Sequence, residues 1–237
     1  MMADMLRLLI FLAACFAGTA GAHGADRRFA VADFDRVIVE GPYAVTLAVG
    51  QPSSAMARGS AQALESVVVD VQGTTLRIRR NRHAWGGTPG QGSAPATIIL
   101  TTRNLRSARV TGTGTLDIAG ARGLRVDFAV EGSGQLRAKA LQVDNLILGL
   151  RGSGSFELQG AAKMLTADIQ GPGSLNGAAL ETDTATLIAA TSGTIGFAAR
   201  TAVKVVANGL GEIAITGRPA CTISGPGAAQ VRCGPQR

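Results

Sequence analysis

A Gly-x-Gly pair returning every 16 to 20 residues restricts the fold of this chain more than any other feature. It occurs as Gly112/Gly114, Gly132/Gly134, Gly152/Gly154, Gly171/Gly173, Gly209/Gly211 and Gly225/Gly227, with Thr191/Gly193 as a variant. The second members, Gly114, Gly134, Gly154, Gly173, Gly193, Gly211 and Gly227, lie 20, 20, 19, 20, 18 and 16 residues apart. Two and four residues after them come Leu116/Ile118, Leu136/Ala138, Phe156/Leu158, Ile195/Phe197, Ile213/Ile215 and Ala229/Val231. Four, six and eight residues before them come runs such as Val130/Phe128/Val126, Leu150/Leu148/Leu146 and Ile169/Ala167/Leu165, with mostly polar residues between. Strand side chains alternate between faces, so every repeat carries one apolar face. Two strands about a corner cannot bury that face alone, and successive units must stack into a shared core. The expected fold is all-β: a parallel β-helix or β-solenoid of stacked coils of about 20 residues, with Gly-x-Gly corners and almost no helix. The corner glycines are expected to supply either a positive φ or room for the neighbouring coil.

Composition agrees with thin aliphatic layers, because 32 glycines stand beside only 7 Phe, 1 Trp and 1 Tyr. The amino-terminal part is less regular. Strands are expected over Val37 to Glu40, Ala44 to Val49, Val67 to Val71, Thr75 to Arg79 and Thr97 to Thr101, separated by Gly, Pro and Ser. Residues 81–95, glycine-rich and carrying Trp85, read as an exposed loop. The expected organisation is a single solenoid domain over 29–233, irregular over 29–102 and regularly coiled over 103–233.

Residues 1–22 have the order of a signal peptide: Arg7, the apolar run Leu8 to Ala14, and the small residues Ala20-Gly21-Ala22. Cleavage is expected near Ala22. A lipoprotein route, with Cys15 as the lipidated first residue, is the less favoured alternative, because the segment after Cys15 stays apolar and small. The remaining chain has no second run of the ~20 apolar residues that a membrane helix needs. An exported location is expected, in the periplasm, at the outer membrane surface or in the medium. Cys221 and Cys233 then remain as an even pair in an oxidising compartment and are expected to form a disulfide, six residues on either side of Gly227.

The entry segment FDRVIVEGPYAVTLAVG (Phe34 to Gly50), the segment VVVDVQGTTLRIRR (Val67 to Arg80), and the later TGTGTLDIAG, EGSGQLRAKA and RGSGSFELQG resemble the bacterial head GIN domain of auto-transporter adhesins. The likeness runs from about Phe29 to Gly217. It implies an exported domain of stacked β coils with an adhesin-like surface role, and it carries over no catalytic residues. No segment after the repeats is patterned as a membrane barrel, so a self-transporting role is not expected.

Residue chemistry points the same way. The chain has two histidines, His23 and His83, too few for a Ser-His-Asp site or a histidine metal site after processing. No catalytic residue, metal ligand or cofactor is expected. The outward row Asp117, Arg137, Glu157, Asn176, Gly196, Ala214 and Gln230 offers no pair of acids for glycan cleavage. The net charge of +7 rests on 20 Arg against 3 Lys. Its densest run is Arg77, Arg79, Arg80 and Arg82, leading through His83 to Trp85. Guanidinium groups form paired hydrogen bonds to carboxylate or sulfate, and an indole stacks on a sugar face, so these residues are the candidate anion or glycan site. The expected partner is an anionic glycan or another envelope component; no nucleic acid is expected, and an oligomer is left open. Ile147, Ile188 and Val206 fall at outward positions and are expected to be covered by the amino-terminal part of the same chain, with a partner subunit as the less favoured alternative. The function expected is non-enzymatic, adhesin-like binding or envelope structure. A polysaccharide lyase or hydrolase on a β-helix scaffold is the alternative.

Overall fold

Where apolar and polar residues alternate, the backbone is extended. The computed structural model describes residues 25–81 and 95–234. The signal segment, Cys15, His23, Arg82, His83 and Trp85 therefore lie outside the described residues. In chain order the elements are β1 (Ala25–Phe29), β2 (Arg36–Glu40), β3 (Ala44–Val49), β4 (Ser54–Gly59), helix α1 (Ala61–Glu65), β5 (Val67–Gln72), β6 (Thr75–Arg80) and β7 (Thr97–Thr102). Then come β8 (Ser107–Gly112), β9 (Thr115–Ile118), β10 (Ala121–Gly132), β11 (Gln135–Gly152), β12 (Ser155–Gly171), β13 (Ser174–Thr191), β14 (Ile195–Ala207), β15 (Ile213–Gly217), β16 (Ala220–Ser224) and β17 (Val231–Cys233).

The strands stack as a β-solenoid. One row runs β6, β2, β8, β10, β11, β12, β13, β14, β16, and every neighbouring pair in it is parallel. Beyond the corner a second row runs β7, β3, β9, β11, β12, β13, β14, β15, β17, again parallel. A third, formed by the early residues of β10 and the middles of β11, β12 and β13, begins at Ala121. The expected inward residues are buried from Leu116 through Ile215. Phe128 and Phe197 each have a small residue in register on one side, Ala108 and Gly177, whereas Phe156 is stacked between Leu136 and Leu175.

The corner glycines answer two demands. First members such as Gly132 and Gly152 hold a positive φ, +110° and +112°, where an L side chain would be strained, and a Cβ on them would also stand 2.8 and 2.5 Å from the preceding corner's carbonyl oxygens, Gly112 O and Gly132 O. The second member lies against the preceding corner as well. A Cβ on Gly134 would stand 2.7 Å from the Gly114 carbonyl oxygen and 2.6 Å from Val110 Cγ1. At the variant corner the Thr191 hydroxyl donates to Gly173 O at 3.0 Å and accepts from Gly193 N at 2.9 Å, tying two coils together.

Stacking order departs from chain order at the amino-terminal end. Strands β2 and β3 are sandwiched between a layer made later by β6 and β7 and the layer of β8 and β9. An antiparallel edge completes this end: β4 pairs with both β1 and β7, and β5 with β6. Helix α1 joins β4 to β5, and the Ser60 hydroxyl accepts from Ala63 N at its start. The sequence pattern missed β1, β4 and α1, since the Ala-Met-Ala-Arg centre of β4 has neither β-branched nor aromatic residues.

Two expectations are corrected. Ala229 is exposed and Val231 only half-buried, because Ala228–Gln230 forms a 3-10 turn in the final coil. Ile188 is 45% exposed, and Ile147 and Val206 are half-buried on the same outer face. The described amino-terminal strands add layers to the end of the stack and do not lie across that face.

Candidate functional site

On β6 the expected basic residues divide between two faces. Arg77 and Arg79 point outward, away from the buried Leu76 and Ile78, and each has a carboxylate partner: Glu40 Oε1 at 3.5 Å from Arg77 Nε, and Asp70 Oδ1 at 3.4 Å from Arg79 Nε. Arg80 shares the parity of Leu76 and Ile78 but is exposed at the strand's end. Its charge acts on Tyr43, whose pKa is raised above the ordinary phenol value by burial and lowered in part by Arg80. Arg82 and Trp85 are outside the described residues. The structure therefore brings Arg77 and Arg79 together and sets Arg80 apart from them.

Parallel stacking in register places equivalent positions of successive coils about 4.8 Å apart, so a row of charges interacts along the stack. Arg137 lies between Asp117 and Glu157 in register and ion-pairs with both, at 3.4 and 3.2 Å. On the third row, Lys163 pairs with Asp144 at 2.8 Å, while Arg200 contacts Glu181 and Asp183. The hydrogen bond to Asp144 raises the Lys163 pKa above the usual lysine value. Exposed pairs of this kind contribute little stability. Their effect is to leave these faces with no large surplus of either sign. The outward row starting at Asp117 ends in Arg232 and not in Gln230, which the final turn takes out of phase.

Guanidinium groups do accumulate in a cleft at the amino-terminal end. Among the described residues the third row has no strand beneath it there: Ala121 to Gly123 pair with β11 alone, and the register of β10 with β8 begins only at Asp127. The link between β7 and β8 crosses this gap without forming a strand, held by Arg106 N donating to Asp35 O at 2.8 Å and Asp127 N donating to Arg106 O at 2.9 Å. The resulting cleft has a volume of about 1090 Å³. It is lined by six arginines, Arg36, Arg103, Arg106, Arg109, Arg122 and Arg125, against three aspartates, Asp33, Asp35 and Asp127. Arg103 pairs with Asp33 at 2.6 Å, Arg106 with Asp35 at 3.3 Å, Arg125 with Asp127 at 3.1 Å, and Arg109 with Glu131 at 2.8 Å. Among the described residues Arg122 has no carboxylate within ion-pair distance. The sequence search for dense basic runs missed this site because its residues come from separate segments. One local signal was present, the three-residue spacing of Arg103, Arg106 and Arg109.

No group of three or more His, Cys, Asp or Glu among the described residues is placed to hold a metal ion. No described helix is long and apolar enough to cross a membrane.

The family model described as "Putative auto-transporter adhesin, head GIN domain" matches residues 33–219. Among curated proteins none matches the chain. Three solved structures show how widely the fold is shared. A "putative adhesin" from Bacteroides fragilis NCTC 9343 superposes with a TM-score of 0.76 at 17% identity, over 86% of this chain and 95% of its own. A "putative lipid binding protein" from Parabacteroides distasonis ATCC 8503 gives 0.65 at 19% identity, over 92% and 98%. A "putative adhesin" from Parabacteroides merdae ATCC 43184 gives 0.64 at 12% identity, over 92% and 98%. At such identities the likeness is one of fold.

Proposed function

Because the chain belongs to the head GIN domain family, we propose that it is an exported, non-enzymatic, adhesin-like protein of the cell envelope that holds an anionic glycan in its arginine cleft. The observation that carries this reading is the lining of six arginines against three aspartates in one concavity, with Arg122 lacking a carboxylate partner among the described residues. Guanidinium groups suit carboxylate and sulfate because they donate two parallel hydrogen bonds. The β6 residues Arg77, Arg79 and Arg80, with Arg82 and Trp85, are the rival contact for the same class of ligand.

Retention on an immobilised anionic polysaccharide tests the reading. The parent protein is expected to bind and to elute as salt rises, since exposed charges are screened beyond about 8 Å near physiological ionic strength. Arg122→Ser should elute at lower salt with an unchanged melting temperature. The triple variant Arg79→Ser, Arg80→Ser, Arg82→Ser should be retained like the parent; its loss of retention would move the contact to β6. A parent that flows through would overturn the proposal, and shortened glycan fragments in the eluate would establish the enzymatic alternative.

Export carries its own expected result. Protein recovered from the host envelope should have the intact mass of a chain starting near His23. A diacylglycerol mass on Cys15 would replace this with the lipoprotein route.

A further inference from the structure

We infer that the carboxy-terminal end of the stack is a pairing surface for a second copy of this chain, the two copies joining tail to tail through β16 and β17. The inference is independent of what the arginine cleft binds.

The two ends of the solenoid are finished differently. At the amino-terminal end the inward residues of the first layer, Leu76, Ile78, Ile98 and Leu100, are fully buried, and β4, β5 and α1 close that end. The edge strand there, β1, carries Asp26, Arg27 and Arg28, and charge on an edge discourages further pairing. At the other end the inward residues Cys221, Ile223, Val231 and Cys233 pack on the core but stay half-buried. Strand β16 has no charged residue, and Arg232 of β17 already pairs with Glu212 at 3.3 Å. An uncharged edge offers its backbone N–H and C=O groups to another strand.

The pattern of this end fits itself. On β16, Ile223 lies two residues nearer the corner than Cys221; on β17, Val231 lies two nearer than Cys233, and the disulfide joins the two more distant positions. A two-fold axis through the corner therefore lays β16 against β17 of the second copy, and β17 against its β16. Such pairs run antiparallel, because β16 approaches the corner and β17 leaves it. Ile223 meets Val231 of the second copy, disulfide meets disulfide, and the inward alternation continues across the joint. A two-fold contact of this kind closes at two copies. Head-to-tail growth is blocked by the charged, antiparallel amino-terminal cap. Residues 82–94 cannot cover the open end either. They join β6 to β7 in the first layer, about 38 Å from β16 at ~4.8 Å per layer, whereas a loop of that length that must return reaches about 22 Å. On the proposed reading of the cleft, tail-to-tail pairing turns two arginine clefts to opposite ends, and the dimer grips an anionic polymer at two points.

Sedimentation equilibrium over a dilution series tests the pairing. The parent should show a reversible monomer–dimer equilibrium. Thr222, exposed at the centre of β16, faces Arg232 of the second copy in this arrangement. Thr222→Lys should weaken the dimer about fivefold or more, since symmetry makes the like-charge contact twice, and Thr222→Glu should keep or tighten it. Both variants should melt like the parent when dilute. Ile188→Lys, on the outer face of β13, should leave the dimer unchanged. A parent that stays monomeric at every concentration would overturn the inference. So would a dimer that is lost in Ile188→Lys and indifferent to Thr222→Lys. Neither result touches the anion-binding role of the cleft, which retention on the polysaccharide reads separately.

Discussion

Gly154→Val is expected to lower the melting temperature by roughly 6 °C or more, and the adjacent Ser153→Val by no more than about 2 °C. The glycine is buried where two coils meet. A Cβ there would stand 2.5 Å from the Gly134 carbonyl oxygen and 2.5 Å from Val130 Cγ1, neither of them the far end of a flexible side chain. The coils would have to separate, and forcing extra carbon into a packed interior costs about 1 to 3 kcal/mol, more when backbone must move. In a domain of this size each kcal/mol shifts the melting point by about 2 to 4 °C. Ser153 is exposed at the outside of the same corner and meets no such obstacle. Gly134→Val and Ser133→Val repeat the comparison one coil earlier. Thermal unfolding of the four variants checks it, and equal melting temperatures would show that close coil contact does not govern the corner.

Removing the covalent link of the last coil should have an effect of similar size. Cys221 in β16 and Cys233 in β17 are disulfide-bonded, with Cα atoms 6.7 Å apart and a sequence separation of 12. Among the described residues both strands have a parallel neighbour on one side only. Closing a loop of this length contributes about 3 kcal/mol in the chain-entropy model, or roughly 6 to 12 °C in melting temperature. The double variant Cys221→Ser, Cys233→Ser should lose that amount. Its amide exchange should rise first over β15 to β17, because an end coil can open without its neighbours. A variant that melts with the parent would show that the bond carries no stability.

The regular coils were legible because their signal is local and repeated. One count from Gly134 or Gly154 places Leu136, Phe156 and Leu150 on the same side, and stacking requires that. What each corner glycine does was not legible, since the positive φ at Gly152 and the close approaches at both Gly152 and Gly154 appear in sequence simply as glycine. Nor was the position of β2 and β3 inside the stack: alternation shows which side chains face inward but not which strand lies alongside. The cleft depends on that missing information. Asp35, Ser53, Arg103 and Arg122 become neighbours only once the layers are in their spatial order. The β6 arginines stood out for the opposite reason, contiguity, although parity then sends Arg80 away from Arg77 and Arg79.

The displaced layer makes the two ends of the stack unequal as sites of evolutionary lengthening. Between β9 and β15 successive layers follow chain order, so duplicating one repeat inserts a layer between neighbours that already accept that register. At the other end, deleting β2 and β3 removes the second layer and leaves the first and third facing a gap, since β6 and β8 each pair with β2, and β7 and β9 with β3. Length variation through whole repeats is therefore open to the regular coils, whereas the amino-terminal layers can change only as a unit. The cleft is built within that unit and at its junction with β10. Adding or removing a repeat among the regular coils would leave its layers in place.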